Sequence, residues 1–202
     1  MFQPLSLSQD AARSRGVTLI ELMIVLAVAA TLVVLVAPSF KRMIDTQRLR
    51  SINAALVTDL QFARGEAASR NQRVFIEFDK TDANLTCYVI FTGNRENCDC
   101  RGSPGSACTG SGTREIRTVQ VSRSQNITVG VPSIQTIEAV GFDPATGRLL
   151  VIPIDTVQNA TVPFRIEVKH PDVGGFIDEL EVTGRPIVCS PSGQLSGVPA
   201  CP

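Results

Sequence analysis

Residues 13–40 read RSRGVTLIELMIVLAVAATLVVLVAPSF. From Leu22 to Phe40 no side chain is charged, and Thr31 and Ser39 are the only polar ones. Such a run matches the roughly 20 residues that cross a hydrocarbon core about 30 Å thick. Glu21, at its start, breaks the pattern. An ionised carboxylate inside a membrane segment costs about 2.5–3.5 kcal/mol on insertion scales, so it calls for a partner and a role.

What precedes Glu21 supplies one. Residues 1–16 carry Arg13 and Arg15 against Asp10, contain no apolar core of their own, and no small-residue cleavage site closes the apolar run that follows. A secretory signal is cut after its apolar segment; here the marked junction, Gly16, lies before it. Two readings follow: a plain N-terminal anchor with a cytoplasmic tail, or a basic leader removed after Gly16 with the anchor retained. The paired arginines fit the positive-inside rule in both. Cleavage would leave Val17 as a free terminus with Glu21 fifth in the mature chain. An α-amine, with a pKa of about 7.7–8.0, is a cation that can pair with a carboxylate one helical turn away or on a neighbouring subunit.

The segment G-V-T-L-I-E-L-M-I-V-L-A (16–27) resembles the class III leader junction of type IV pilins and type II secretion pseudopilins. The resemblance implies cleavage after Gly16 by a prepilin peptidase, methylation of Val17, and docking of subunits guided by Glu21. Mature chains of that family usually begin with phenylalanine, where valine stands here. Pro38 falls where those proteins often bend their helix. A proline removes one helical hydrogen bond, so a bend or loosening is expected at that point.

Beyond Pro38, Leu49, Ile52, Leu56, Leu60, Ala63 and Ala67 recur at steps of three and four and trace one helical face. Val57 and Phe62 widen that face. Lys41, Arg42, Asp45, Arg48, Asp59, Arg64 and Glu66 are assigned to the wet side. A helix from about Val17 to Arg70 would measure roughly 80 Å at 1.5 Å per residue. The stretch ALVTDLQFARGEAASRNQRVFIEF (55–78) is similar to the FimT/GspH group of minor pilins and pseudopilins. Leu60, Ala63, Arg64, Glu66, Ala67, Arg70, Asn71 and Val74 fill that group's pattern. Arg64, Glu66 and Arg70 are read as supports of the helix–sheet junction, with Glu66 and Arg70 spaced for an i,i+4 pair.

After Asn71 the period becomes two. Val74, Ile76 and Phe78 alternate with Phe75 and Glu77, and further strands are predicted at 85–92, 114–122, 127–131, 139–142, 148–152, 164–170 and 177–183. The turn FDPATGRLL (142–150) uses Pro144 to preset φ and Gly147 to accept positive φ. The fold class is α+β: a long N-terminal helix, membrane-spanning in its first half and amphipathic in its second, packed on an antiparallel pilin-like sheet domain. The organisation is a leader at 1–16, a transmembrane or fibre-core helix at 17–40, its amphipathic continuation at 41–72, and an exported domain at 73–202.

All six cysteines lie beyond residue 86, which suits an exported, oxidising setting for that domain. The polar loop GNRENCDCRGSPGSACTGSG (93–112) is too poor in apolar residues to fold alone, so Cys98, Cys100 and Cys108 are expected to tie it down with Cys87. Four cysteines allow three pairings, of which Cys98–Cys100 is geometrically the poorest. A thiolate zinc site is opposed by the C-x-C spacing and the exported setting. Cys189 and Cys201 are expected to close a C-terminal loop, a staple of about 3 kcal/mol in the loop-entropy picture.

Composition excludes more than it selects. Nineteen basic residues balance nineteen acidic ones, and one histidine with no tryptophan leaves little material for a catalytic or metal centre. His170 stands alone before Pro171, and no P-loop, dinucleotide fingerprint or H-E-x-x-H occurs. No enzyme activity, cofactor or metal is expected. The expected partners are the prepilin peptidase, other pilins or pseudopilins and an inner-membrane assembly platform, with the C-terminal domain in the periplasm before incorporation into a pilus or pseudopilus.

DNA is the alternative partner. Some FimT-like proteins carry a G-R-x-R stretch implicated in DNA contact; here Gly184 and Arg185 match, and Ile187 takes the place of the second arginine. Arg148, Arg165, Lys169 and Arg185 are the candidate contacts. Without its leader the chain holds 19 − 2 = 17 basic and 19 − 1 = 18 acidic residues. A net charge of −1 (17 − 18) exerts no strong nonspecific pull on phosphates.

Overall fold

A computed structural model describes residues 16–79, 84–133, 135, 137, 139–152, 156–193 and 195–201. Residues 1–15 of the expected leader lie outside the described residues. Helix α1 runs from Leu19 to Arg70 and continues through position 38 as one element. Its start is capped by Thr18, whose Oγ1 accepts from the Glu21 backbone N–H at 3.3 Å, the N-cap geometry a threonine favours. Its end is a Schellman closure: Gln72 N–H donates to the Ala67 carbonyl and Asn71 N–H to that of Ala68, with Asn71 at φ +49°. Asparagine tolerates that left-handed position.

The chain divides into two compact units, 1–41 and 42–202. In the first, every large apolar side chain from Val17 to Phe40 is more than half exposed, and the helix is long and apolar enough to cross a membrane. The second unit contains the rest of α1 and the ten strands found among the described residues.

Six strands form one antiparallel sheet in the order β3-β2-β1-β5-β6-β7: β1 Val74–Asp79, β2 Leu85–Thr92, β3 Arg114–Ser122, β5 Ala139–Phe142, β6 Leu149–Val151 and β7 Gln158–Asn159. The other four form a second antiparallel sheet in the order β10-β9-β8-β4, from β4 Thr128–Gly130, β8 Phe164–His170, β9 Gly174–Leu180 and β10 Pro186–Cys189. Alternation along each strand does not specify this division. It is set by long-range contacts such as Phe78 of β1 against Phe164 of β8, 6.4 Å between ring centres.

The main core joins Leu49, Leu56, Leu60, Ala63 and Ala67 of α1 to the inner faces of both sheets, among them Ile76, Phe78, Ile166 and Val168. A smaller core lies on the other face of the six-stranded sheet. There Phe75, Val89 and Phe91 are covered by Cys100 and Ala107 of the 93–113 loop. The period-two alternation of β1 thus serves two cores.

Several predictions change on contact with this packing. The strand expected at 177–183 is β9, Gly174–Leu180, because His170 pairs with Gly174 across a tight turn and the two glycines open the strand. The strands expected at 127–131 and 148–152 are shortened to β4 and β6, while β7 and β10 are additional. Phe62, expected to widen the apolar face, sits at its rim, 37% exposed, beneath the Arg117 guanidinium at 5.1 Å from the ring centre. Asp59, expected on the wet side, is 3% exposed. It lies three residues after Leu56 and four before Ala63, which places it on the core face.

Candidate functional site

Two regions carry the functional candidates. In the N-terminal unit, no described residue beyond its chain neighbours comes within 4 Å of the place a Cβ on Gly16 would occupy. Val17 is 69% exposed, and Glu21 lies in the first turn of α1. A helix N-terminus favours a carboxylate through its dipole and free N–H groups. The local geometry therefore sets Glu21 beside an unburied terminus and a solvent-open apolar surface.

In the second unit, polar contacts set the seat of α1 on the sheets. Tyr88 of β2 donates its hydroxyl to Asp59 Oδ2 at 2.8 Å, and Arg117 of β3 makes an ion pair with Asp59 Oδ1. Burial first, then the neighbouring Asp59 charge, pushes the Tyr88 hydroxyl far above its ordinary range, so it acts as a fixed donor. Asn53 Nδ2 donates to Asp178 Oδ1 of β9 at 3.4 Å. His170 Nε2 stands 3.9 Å from Asp45 Oδ2, while its Nδ1 accepts from the Asp172 N–H at 3.2 Å.

Arginines of α1 reach backbone carbonyls of the loops. Arg50 Nη2 donates to Ser196 at 2.7 Å and Arg64 Nε to Gly147 at 3.1 Å. The Gly147 carbonyl also touches Gly184, where a Cβ would come within 2.3 Å of that oxygen, at φ +78°. Arg70 pairs with Glu66 along the helix surface. Arg64 thus supports the helix–sheet junction directly, whereas Glu66 and Arg70 stabilise the last turns of the helix.

Three disulfides hold the loops: Cys87–Cys100, Cys98–Cys108 and Cys189–Cys201. Glu115 of β3 completes the first loop. Its Oε1 accepts from Gly105 N–H at 2.8 Å and from the Thr118 hydroxyl at 2.6 Å, and its Oε2 accepts from Ala107 N–H at 2.7 Å. Burial pushes the Glu115 carboxyl up, but the donors from Thr118, Gly105, Ala107 and Cys108 outweigh it and leave the group below its usual range. Asp79 lies close to the sulfurs of Cys87 and Cys100. Those sulfurs are bonded to each other, and Asp79 faces the Arg101 guanidinium at 3.1 Å.

With the geometry in place, two family models match the chain. Residues 54–193, more than two thirds of its length, match the type II transport protein GspH. Residues 11–37 match the prokaryotic N-terminal methylation motif. The chain belongs to the GspH family. Among curated proteins and among solved structures, no match is found.

In this GspH-family chain the four cations named for DNA differ in their surroundings. Arg165 and Lys169 lie on the outer face of β8, and each has a carboxylate: Glu179 Oε2 is 2.7 Å from Arg165 Nε, and Glu167 pairs with Lys169. Arg148 and Arg185 are exposed. Arg185 shares a groove with Gln61, Arg64, Gly65 and Ala68 of α1 and with the 144–147 turn, and no carboxylate lines it. Sequence reading grouped Arg185 with Arg148, Arg165 and Lys169, and read Arg64 as a support of the helix–sheet junction without placing it beside Arg185. The turns closed by Gly147 and Gly184, both distant from Arg64 in sequence, fold onto the Arg64 side of the helix. Asn53 and Asp178 were missed because a lone polar residue on an apolar face carries no pattern.

Proposed function

We propose that this chain is a nonenzymatic pseudopilin, a subunit built into the fibre of a type II secretion system, with a type IV pilus as the alternative fibre. Prepilin peptidase removes residues 1–16, Val17 is methylated, and residues 17–40 anchor the subunit in the inner membrane with the disulfide-bearing domain in the periplasm. The apolar helix then moves from lipid to the fibre core and packs against other pilin-type subunits at the assembly platform. One observation carries the reading: a capped helix whose large apolar side chains up to Phe40 are exposed carries Glu21 in its first turn, beside the Gly16–Val17 junction. The GspH match, by its description, favours secretion over the pilus. Coexpression with a prepilin peptidase followed by terminal mapping of fibre-associated protein should find Val17, methylated; an intact Met1 terminus would overturn the reading.

A DNA-contacting role is the second reading, favoured by the groove in which Arg64 and Arg185 meet without a carboxylate. Binding there would act through phosphates, with no sequence preference and a steep salt dependence. A DNA titration of the full chain at several salt concentrations separates this role from pure scaffolding.

A further inference from the structure

The buried contact between Asn53 of α1 and Asp178 of β9 lacks one hydrogen. Asp178 is fully buried and Asn53 is 5% exposed. One long bond joins them, from Asn53 Nδ2 to Asp178 Oδ1 at 3.4 Å. The remaining oxygens, Asn53 Oδ1 and Asp178 Oδ2, are both buried with no hydrogen-bond partner. An ionised carboxylate here would leave two acceptors and no donor, which an interior does not tolerate cheaply. A single proton on Oδ2 would turn one orphan acceptor into a donor and remove the charge from a carboxyl that lacks a second donor.

We infer that the Asn53–Asp178 contact is a proton-operated latch: the carboxyl holds its proton while α1 is seated on the four-stranded sheet, and ionisation loosens that seat.

The surroundings support a neutral acid. Across β9, Asp178 faces Ile166 of β8 and Val188 of β10. Arg165 and Glu167, the ionisable neighbours on β8, alternate to the outer face, and β10 has no ionisable side chain. On α1, Arg50 is directed to the Ser196 carbonyl, Asp59 is held by Tyr88 and Arg117, and Asp45 stands by His170. Among the described residues, no cation stabilises the carboxylate. Burial pushes the Asp178 carboxyl up to about 7, with the Asn53 bond pulling the other way.

The direction of linkage follows. Between the unfolded value near 4 and the folded value near 7, the native chain binds a proton that the unfolded chain has released. Stability from this group is therefore full below about pH 4 and falls as pH rises, by up to about tenfold in the folding constant per pH unit, until it is gone above about pH 7. Most carboxylates, Glu115 included, act in the opposite sense and at lower pH. The latch makes the docked helix tighter in mild acid.

The test uses the full chain in detergent micelles, unfolded with urea between pH 5 and pH 8.5. The wild type should lose at least tenfold in folding constant over that range, and Asp178→Asn should remove most of the loss and match or exceed the wild type at pH 8. An unchanged pH slope in Asp178→Asn, or a variant less stable than wild type at pH 8, overturns the latch. Infrared difference spectra of the wild type decide the matter should the variant fail to fold. A protonated-carboxyl C=O band present at pH 6 and lost above pH 7 is expected, and a spectrum without it overturns the proposal.

Discussion

Tyr88 donates its hydroxyl to Asp59 across 2.8 Å, joining the C-terminal part of α1 to strand β2 inside the core. Arg117 completes the site by spanning Asp59 and the Phe62 ring. A charge so deeply placed is tolerated because both oxygens have donors. Removing one partner costs more than the interaction itself contributes, since the other is left unpaired. Tyr88→Phe should therefore destabilise the chain by about 1–3 kcal/mol, and Arg117→Met by a similar amount, with non-additive effects in the double variant. Urea unfolding of the four chains of this cycle measures the coupling; strict additivity would show that Asp59 is not shared.

The Gly147–Gly184 contact makes a sterically sharper prediction. Gly184→Ala would place a methyl group 2.3 Å from the Gly147 carbonyl at a backbone angle of +78°. It should cost more than the roughly 1 kcal/mol of an ordinary Gly→Ala change at positive φ, because the turn that accepts Arg64 must also move. Thermal melts should place Gly184→Ala well below wild type and Arg64→Met between them.

Glu115 gives a local acid effect. Its carboxyl is held below its usual range, so its contribution is full above the ordinary glutamate value of about 4.3 and is lost as pH falls through the folded value. Glu115→Gln, and acid below the folded value in the wild type, should lower the amide-exchange protection factors of Gly105 and Ala107 while the main core stays protected. Equal protection in variant and wild type would remove Glu115 from this role.

Glu21→Ala should leave membrane insertion intact or improve it, since a charge leaves the hydrocarbon. Incorporation into fibres should fall, because the new amine of Val17 loses its partner. Quantifying the variant in sheared fibre fractions against membranes checks both halves of this expectation.

Arg185→Ala addresses the DNA reading. If phosphate contact occurs in the groove with Arg64, affinity should drop uniformly across sequences and the salt slope should flatten by about one unit. A variant that binds as tightly as wild type, or no binding by either chain, leaves the scaffold reading alone.

Much of this fold was legible in the sequence. Four strands, Leu85–Thr92, Arg114–Ser122, Ala139–Phe142 and Phe164–His170, coincide with their predicted bounds because alternating or apolar runs lie between polar turns. The helix was readable from the spacing of Leu49, Leu56, Leu60 and Ala63. What was illegible depended on partners distant in sequence. Gly174 and Gly175 become strand only by pairing with His170 and Lys169, and Pro186 opens β10 only against Leu180. Asp59 looks like a surface residue until Tyr88 and Arg117 arrive from two strands. Of the candidate sites, the Gly16–Glu21 region was singled out because its residues are contiguous in sequence, and its role is the one proposed above. The Arg64–Arg185 groove was not, because 83 residues separate Arg64 from the Gly147 carbonyl it grips.

The placement of the three disulfides bears on how the molecule carries load. They join Cys87 to Cys100, Cys98 to Cys108 and Cys189 to Cys201, so none of them includes a residue of α1. A pull along α1 therefore enters the sheets through the short 71–73 connection and through side chains that interlock without covalent bonds. The Cys189–Cys201 loop feels that pull through Arg50 on the Ser196 carbonyl, so α1 is tied to the sheets covalently by the chain itself and otherwise by contacts that can part.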